Sequence, residues 1–241
     1  MNFMRSVLYV VWLYGAVAVV GLLGVPFMLM SRSWGMTVIR IWAKTALWGL
    51  RVICGVKVEF RGLEHRPTGA AIIAGKHLSM LDTIAPFVVL DKTCFILKKE
   101  LTWLPFFGWY IWRTKMIPIQ RKDAAKALKA MVADTRDRLE DGRQIVIFPE
   151  GTRSEIGEDA AYKPGVAALY RDVEYPCHLM ATNSGQFWPA HGITRTPGTV
   201  VFEFLPPVPA GLKRGEFMSE IKMRLETASN TLIAEQAEKS K

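Results

Sequence analysis

A histidine and an aspartate stand five residues apart in Lys76-His77-Leu78-Ser79-Met80-Leu81-Asp82-Thr83, directly after the apolar run GAAIIAG. Those two side chains can divide a proton transfer between them. Asp82 accepts one imidazole N–H and fixes the tautomer, and the other ring nitrogen takes a proton from a hydroxyl. On a regular helix residues five apart do not share a face. The pair therefore meets only if a strand ends at Gly75, the chain turns at His77, and a helix begins near Ser79. The competing reading is simpler: an acidic residue in the first turn of a helix caps it or complements its dipole. The H-x4-D spacing alone fits both.

A second stretch, RQIVIFPEGTRS, runs a hydrophobic strand straight into Pro149-Glu150-Gly151-Thr152-Arg153-Ser154. Pro149 ends the strand, and Gly151 permits a positive φ or a close approach of backbone to a ligand. Thr152 and Arg153 offer a hydroxyl and a guanidinium fork that match phosphate oxygens. A polar turn with an exposed Arg–Glu pair accounts for the same residues equally well. A third stretch, Leu97 to Asp123, sets Arg113, Lys115, Arg121 and Lys122 around the short apolar segment KMIPIQ. By charge and location, Lys115 is a candidate phosphate contact. The aromatics Trp103, Phe106, Phe107, Trp109 and Tyr110 suit a core, an acyl channel or a membrane interface.

The elements that must position these residues alternate. VKVEF, AAIIAG, TCFILKK, KMIPIQ, RQIVIF, HLMATN and TVVFEFL read as strands. LDTIAPFVVL, a segment capped by Asp123 and running to Leu139, KPGVAALYRD and EFMSEIKMRLETASNTLIAEQ read as helices. Such alternation predicts an α/β fold with a mostly parallel central sheet flanked by helices. In front of it, Ser6 to Met30 holds no charged side chain and is long enough to cross a bilayer core, whereas no small-x-small cleavage site follows. Met36 to Gly55 carries aliphatic and aromatic residues at helical spacing with Arg40, Lys44 and Arg51 between them, the pattern of an amphipathic surface helix. Residues 1–56 are thus expected to form a membrane-associated helical pair, either one span plus a surface helix or a hairpin in one leaflet. Residues 57–241 are expected to form the domain that carries the chemistry, the catalytic domain.

Composition agrees. Half of the 241 residues are hydrophobic (50%), and the net charge is +9. Arg32, Arg40, Lys44, Arg51 and Lys57 follow the apolar segment against a single Arg5 before it, which places the body of the protein on the cytoplasmic side of the inner membrane. Beside a membrane segment the basic excess suits anionic lipid; no zinc spacing, RNP-like motif or basic heptad region points to nucleic acid. Three widely spaced cysteines give no disulfide framework, and four scattered histidines give no metal site.

Taken in order, KHLSMLDT, KKELTWLPFFG…MIPIQR, FPEGTRS and YKPGVAAL resemble the glycerolipid acyltransferase family, over roughly Lys57 to Leu205. The resemblance implies transfer of an acyl chain from acyl-CoA or acyl carrier protein to the free hydroxyl of 1-acylglycerol 3-phosphate (lysophosphatidate), giving phosphatidate with no acyl-enzyme and no cofactor. It implies His77 as the general base, Asp82 as its partner, and Arg121, Glu150, Gly151 and Arg153 as the residues that place the acceptor phosphate. Two positions depart from the family pattern. Lys76 stands where Asn is common, adding a positive charge beside the histidine that discourages a second. Leu179 stands where a proline is usual, although Asn183-Ser184-Gly185 still follows. A different lyso-lipid acceptor, such as a lyso-ornithine lipid, fits the same basic cluster, and a non-catalytic lipid-binding protein fits the same fold. A serine hydrolase does not, because no G-x-S-x-G elbow is present.

Overall fold

The structure, a computed structural model, describes residues 1–120 and 124–239. It begins with α1 (Asn2–Leu23), the short α2 (Val25–Met30) and α3 (Arg32–Cys54). In α1 the buried positions Ser6, Tyr9, Leu13 and Ala16 recur every three or four residues, which is one helical face. That face meets α3 where Ala43, Ala46 and Gly49 let the two backbones close. Tyr9 Oη donates to the Ala46 carbonyl (3.3 Å) and Trp12 Nε1 to the Thr45 carbonyl (3.1 Å). The helices are antiparallel, since Cys54 reaches Arg5 at one end and Gly24 lies against Val38 at the other. Ser31 caps α3 by accepting the Trp34 N–H, and α3 stops at Gly55 in a left-handed conformation (φ 71°).

Seven strands follow: β1 (Val56–Arg61), β2 (Ala71–Gly75), β3 (Thr93–Lys98), β4 (Ile117–Ile119), β5 (Gln144–Ile147), β6 (Cys177–Thr182) and β7 (Gly198–Leu205). They form one sheet in the order β1-β7-β6-β2-β5-β3-β4, parallel throughout except between β6 and β7. Every residue of β2 and β5 is buried, as expected where helices cover both faces of a parallel sheet. The connecting helices are α4 (Pro86–Val89), α5 (Phe107–Arg113), α6 (Ala124–Glu140), α7 (Gly165–Val173) and α8 (Arg214–Lys239). From α8, Phe217, Ile221, Leu225 and Leu232 point into the same core as β2 and β5. Each such side chain contributes about 1.5–3 kcal/mol by leaving water.

One expected helix changes in detail, and one stretch takes a form the sequence did not indicate. LDTIAPFVVL is not one helix but a 3-10 turn (Met80–Thr83) and the four-residue α4, because Pro86 cannot continue the turn before it. The aromatic stretch folds into a 3-10 segment (Lys99–Trp103) and α5, neither of which shows a periodic pattern in sequence. The compositional boundary at residue 56 also divides less than it suggests. Tyr9, Leu13, Ala46 and Leu50 belong to one continuous apolar core with the sheet, so the helical pair is built onto the catalytic body. The expected cap at Asp123 lies outside the described residues.

Candidate active site

β2 and β5 are adjacent at the centre of the sheet, and the site stands where both end. After Gly75, the Lys76 N–H still donates to Met180 (3.0 Å), extending the ladder by one residue. The chain then turns at His77, and Ser79 caps the Met80–Thr83 turn with its hydroxyl accepting from Leu81 N–H (3.1 Å). Asp82 closes the capping box and faces His77 as well. Its Oδ2 lies 3.1 Å from His77 Nδ1 and accepts the backbone N–H groups of Leu78 and Ser79 (both 2.7 Å). Its Oδ1 takes the hydroxyls of Ser79 (3.3 Å) and Ser184 (2.5 Å). The two readings of H-x4-D do not compete in the geometry: the capping residue is also the histidine's hydrogen-bond partner. Asp82 has no exposed surface.

From β5 comes the second support. Phe148 stacks under the imidazole, with ring centres 4.0 Å apart and planes within 13°. The chain then reverses at Gly151 (φ 70°), whose N–H donates to Phe148 (3.0 Å). This turn brings Ser154 back to His77, with Ser154 N–H donating to the His77 carbonyl at 2.9 Å. Glu150 is 1% exposed, and both its oxygens are engaged. Oε2 accepts the His77 backbone N–H (2.9 Å), while Oε1 meets Lys76 Nζ (2.6 Å) and the Ser154 hydroxyl (3.3 Å). Lys76 pairs in turn with Glu226 of α8 (2.7 Å), and the Tyr162 hydroxyl donates to that same oxygen (3.1 Å). Burial pushes Glu150 above the usual carboxylate range against the pull of Lys76. Burial works to lower Lys76, but its two carboxylates outweigh that and hold the ammonium above its ordinary value. The directions are compatible because Lys76 has a second partner in Glu226.

The structure thus brings together His77, Asp82 and Glu150, with Gly151, Thr152 and Arg153 on the loop that returns to them. Three residues stand in surroundings the sequence did not lead one to expect. Glu150 is buried and anchors the histidine's backbone, with both its oxygens hydrogen-bonded within the protein. Lys76 places its charge between two carboxylates instead of beside the imidazole. Lys115 stands by the start of β3 and β5, its carbonyl accepting from Cys94 and Arg143, whereas His77 follows the end of β2. Exposed cations on the site's edge of the sheet include Lys98 and Lys99, at the end of β3, and Arg153. Arg121 lies outside the described residues. The parallel register, Lys98 against Ile119 and Ala74 against Ile147, is what separates the two edges. Phe148 and Ser184 were both visible within quoted motifs, but nothing in spacing ties them to His77 and Asp82.

With Nδ1 turned to Asp82, Nε2 is the ring nitrogen that faces away from the carboxylate. His77 is 12% exposed through its side chain, so the ring is reachable yet largely desolvated. The nearby hydroxyls of Ser79 and Ser184 are both directed to Asp82, and the three cysteines are buried. Both serine hydroxyls are thus committed to the carboxylate and neither donates to the imidazole.

The family described as "Acyltransferase" matches residues 57–196. The 1-acyl-sn-glycerol-3-phosphate acyltransferase of Pseudomonas aeruginosa is 33% identical over 198 residues, covering 82% of this chain and 77% of that protein. Human 1-acyl-sn-glycerol-3-phosphate acyltransferase alpha is 30% identical over 163 residues, 66% of this chain and 58% of that one. The crystal structure of the 1-acyl-sn-glycerophosphate acyltransferase PlsC from Thermotoga maritima superposes with a TM-score of 0.78 at 22% identity, covering 96% of this chain and 99% of that one, a likeness of fold.

Proposed function

The chain belongs to the acyltransferase family, and from that premise we propose that it is a 1-acylglycerol-3-phosphate O-acyltransferase, moving an acyl group from a thioester to the free hydroxyl of lysophosphatidate to form phosphatidate. The observation that carries the mechanism is the His77–Asp82 pair with its neighbouring serines committed to Asp82. The acceptor hydroxyl attacks the thioester carbonyl as His77 Nε2 takes its proton. The tetrahedral intermediate then collapses, the C–S bond breaks, and the imidazolium returns the proton to the leaving thiolate. Asp82 holds the tautomer and faces the imidazolium between the two steps. The donor is acyl-CoA or acyl carrier protein, each supplying the same thioester. Arg153, with Lys98 on the same edge of the sheet, holds the acceptor phosphate, and the family resemblance adds Arg121; holding the phosphate supplies rate by positioning.

The site works at a lipid surface. α1 is long and apolar enough to cross a membrane (mean hydropathy 2.2), and the outward side chains Leu8, Val11, Leu22 and Trp48 are exposed. Yet α1 lies along α3, which is built onto the catalytic body, and the far end of the pair is tied down too. Tyr110 Oη donates to Gly21 (2.9 Å) and Arg113 Nε to Met28 (3.0 Å). A helix fixed along its length to a polar domain cannot thread a hydrocarbon core of about 30 Å without drawing that domain in. The supported reading is a pair seated in one leaflet, with the catalytic body on the cytoplasmic face.

Purified protein in detergent, given lysophosphatidate with acyl-CoA or acyl carrier protein, is expected to form phosphatidate. His77→Ala, folded, should lose roughly 100-fold or more of that rate. Transfer to a lyso-ornithine lipid alone would keep the mechanism and replace the substrate. Full activity in His77→Ala would remove the mechanism.

A further inference from the structure

We propose that Ser184 is a positioning residue for the acyl transfer, its hydroxyl locking the carboxylate of Asp82 in the orientation that His77 needs. The inference rests on the His77–Asp82 reading and adds the element that holds it. Asp82 uses its oxygens for different purposes: Oδ2 gathers His77 Nδ1 and two backbone N–H groups, and Oδ1 accepts only hydroxyls. Every donor but one comes from within five residues of Asp82, so those contacts move with the 77–83 turn and cannot fix it to the sheet. Ser184 is the exception, 102 residues away in sequence and fully buried. Its 2.5 Å contact is also much shorter than the 3.3 Å contact from Ser79, and falls in the range of a hydroxyl given to a carboxylate.

Ser184 is itself held from several directions. Its N–H donates to Thr182 Oγ1 (3.1 Å), and its carbonyl accepts from Phe187 and Trp188 (3.1 and 2.9 Å). Asn183 before it ties the turn to β7, accepting the Val201 N–H at 2.8 Å. Gly185 after it lies flat against the histidine turn, where an added Cβ would stand 3.1 Å from Leu78 Cβ. The end of β6 therefore presents one hydroxyl, at a fixed place, to the oxygen of Asp82 that the histidine does not use. Its hydroxyl goes to Asp82 and not to the imidazole, so it orients the pair without touching substrate.

Thr and Val have nearly the same volume and differ at this position by the hydroxyl, so Ser184→Thr and Ser184→Val separate the bond from the packing. In Ser184→Val and in Ser184→Ala, kcat should fall about tenfold or more, with the acceptor KM changed less than about threefold, while Ser184→Thr recovers most of kcat. In an Asp82→Asn background, Ser184→Ala should cause no further loss, because the group it acts through is already gone. Equal kcat in the Thr and Val variants would overturn the proposal. So would a KM effect without a kcat effect, or an equal loss in both Asp82 backgrounds. If Asp82→Asn falls to the blank rate, the Thr–Val comparison decides alone. Undiminished activity in Asp82→Asn itself would instead overturn the underlying pair.

Discussion

Lys76 is 3% exposed and sits between Glu150 and Glu226, so its removal would leave the buried Glu150 carboxylate without its cation and facing the half-buried Glu226. Breaking a buried pair from one side costs about 3–5 kcal/mol, and Lys76→Met should lower stability by that amount in urea unfolding. The sign with pH follows from the raised Lys76 value. Its contribution is fully present below the ordinary lysine range and is lost as pH climbs through the folded-state value, so the gap between wild type and Lys76→Met should narrow in strong alkali. A gap that widens there would contradict the ion-pair assignment. The motif residues His77, Asp82 and Glu150 were legible as a group because strand ends, turn residues and hydrogen-bonding groups follow one another locally. Their division of labour was not. Whether Glu150 faces a ligand or the histidine's own backbone depends on how two strand ends meet, and Ser184 reaches Asp82 only because β6 lies beside β2.

Among the elements, the α1–α3 contact depends on a missing side chain. A Cβ on Gly49 would run into the indole of Trp12, which is itself held by its bond to Thr45. Gly49→Ala should therefore cost about 1–3 kcal/mol through overpacking and loosen α1, read as a lower melting temperature with earlier proteolysis within residues 1–24. An unchanged melting temperature would mean that Trp12 has somewhere to go. The strands themselves were readable, since continuous apolar runs bounded by turn residues describe β2 and β5 without help from context. Direction within the sheet was not readable. Lys115 looked like part of the site because it precedes a strand in a basic stretch, but a parallel strand brings only its far end to the ligand edge. The same rule promotes Lys98, which ends its strand.

On the scale of the whole molecule, the exposed apolar side chains gather from separate segments: Leu22 and Met30 from the first two helices, Trp34 and Trp48 from the third, Trp103 and Trp112 from the stretch around α5. The contacts of Tyr110 and Arg113 with the tip of the pair make these segments neighbours, and Lys44 and Arg51 on α3 can reach phosphates from the same helix. With anionic vesicles already formed, the protein should bind from outside, and a peptide tag placed before Met1 should stay open to a protease added to that outside. A protected tag would show that α1 crosses. The antiparallel path of α1 and α3 has a bearing on manufacture as well as on anchoring. Arg5 and Cys54 are neighbours, so the helical pair returns to the side from which it set out. On the proposed seating in one leaflet, neither Arg5 nor the turn at Ser31 and Arg32 has to be carried across a bilayer while the protein is being made, and seating becomes a step open to a chain already released from the ribosome.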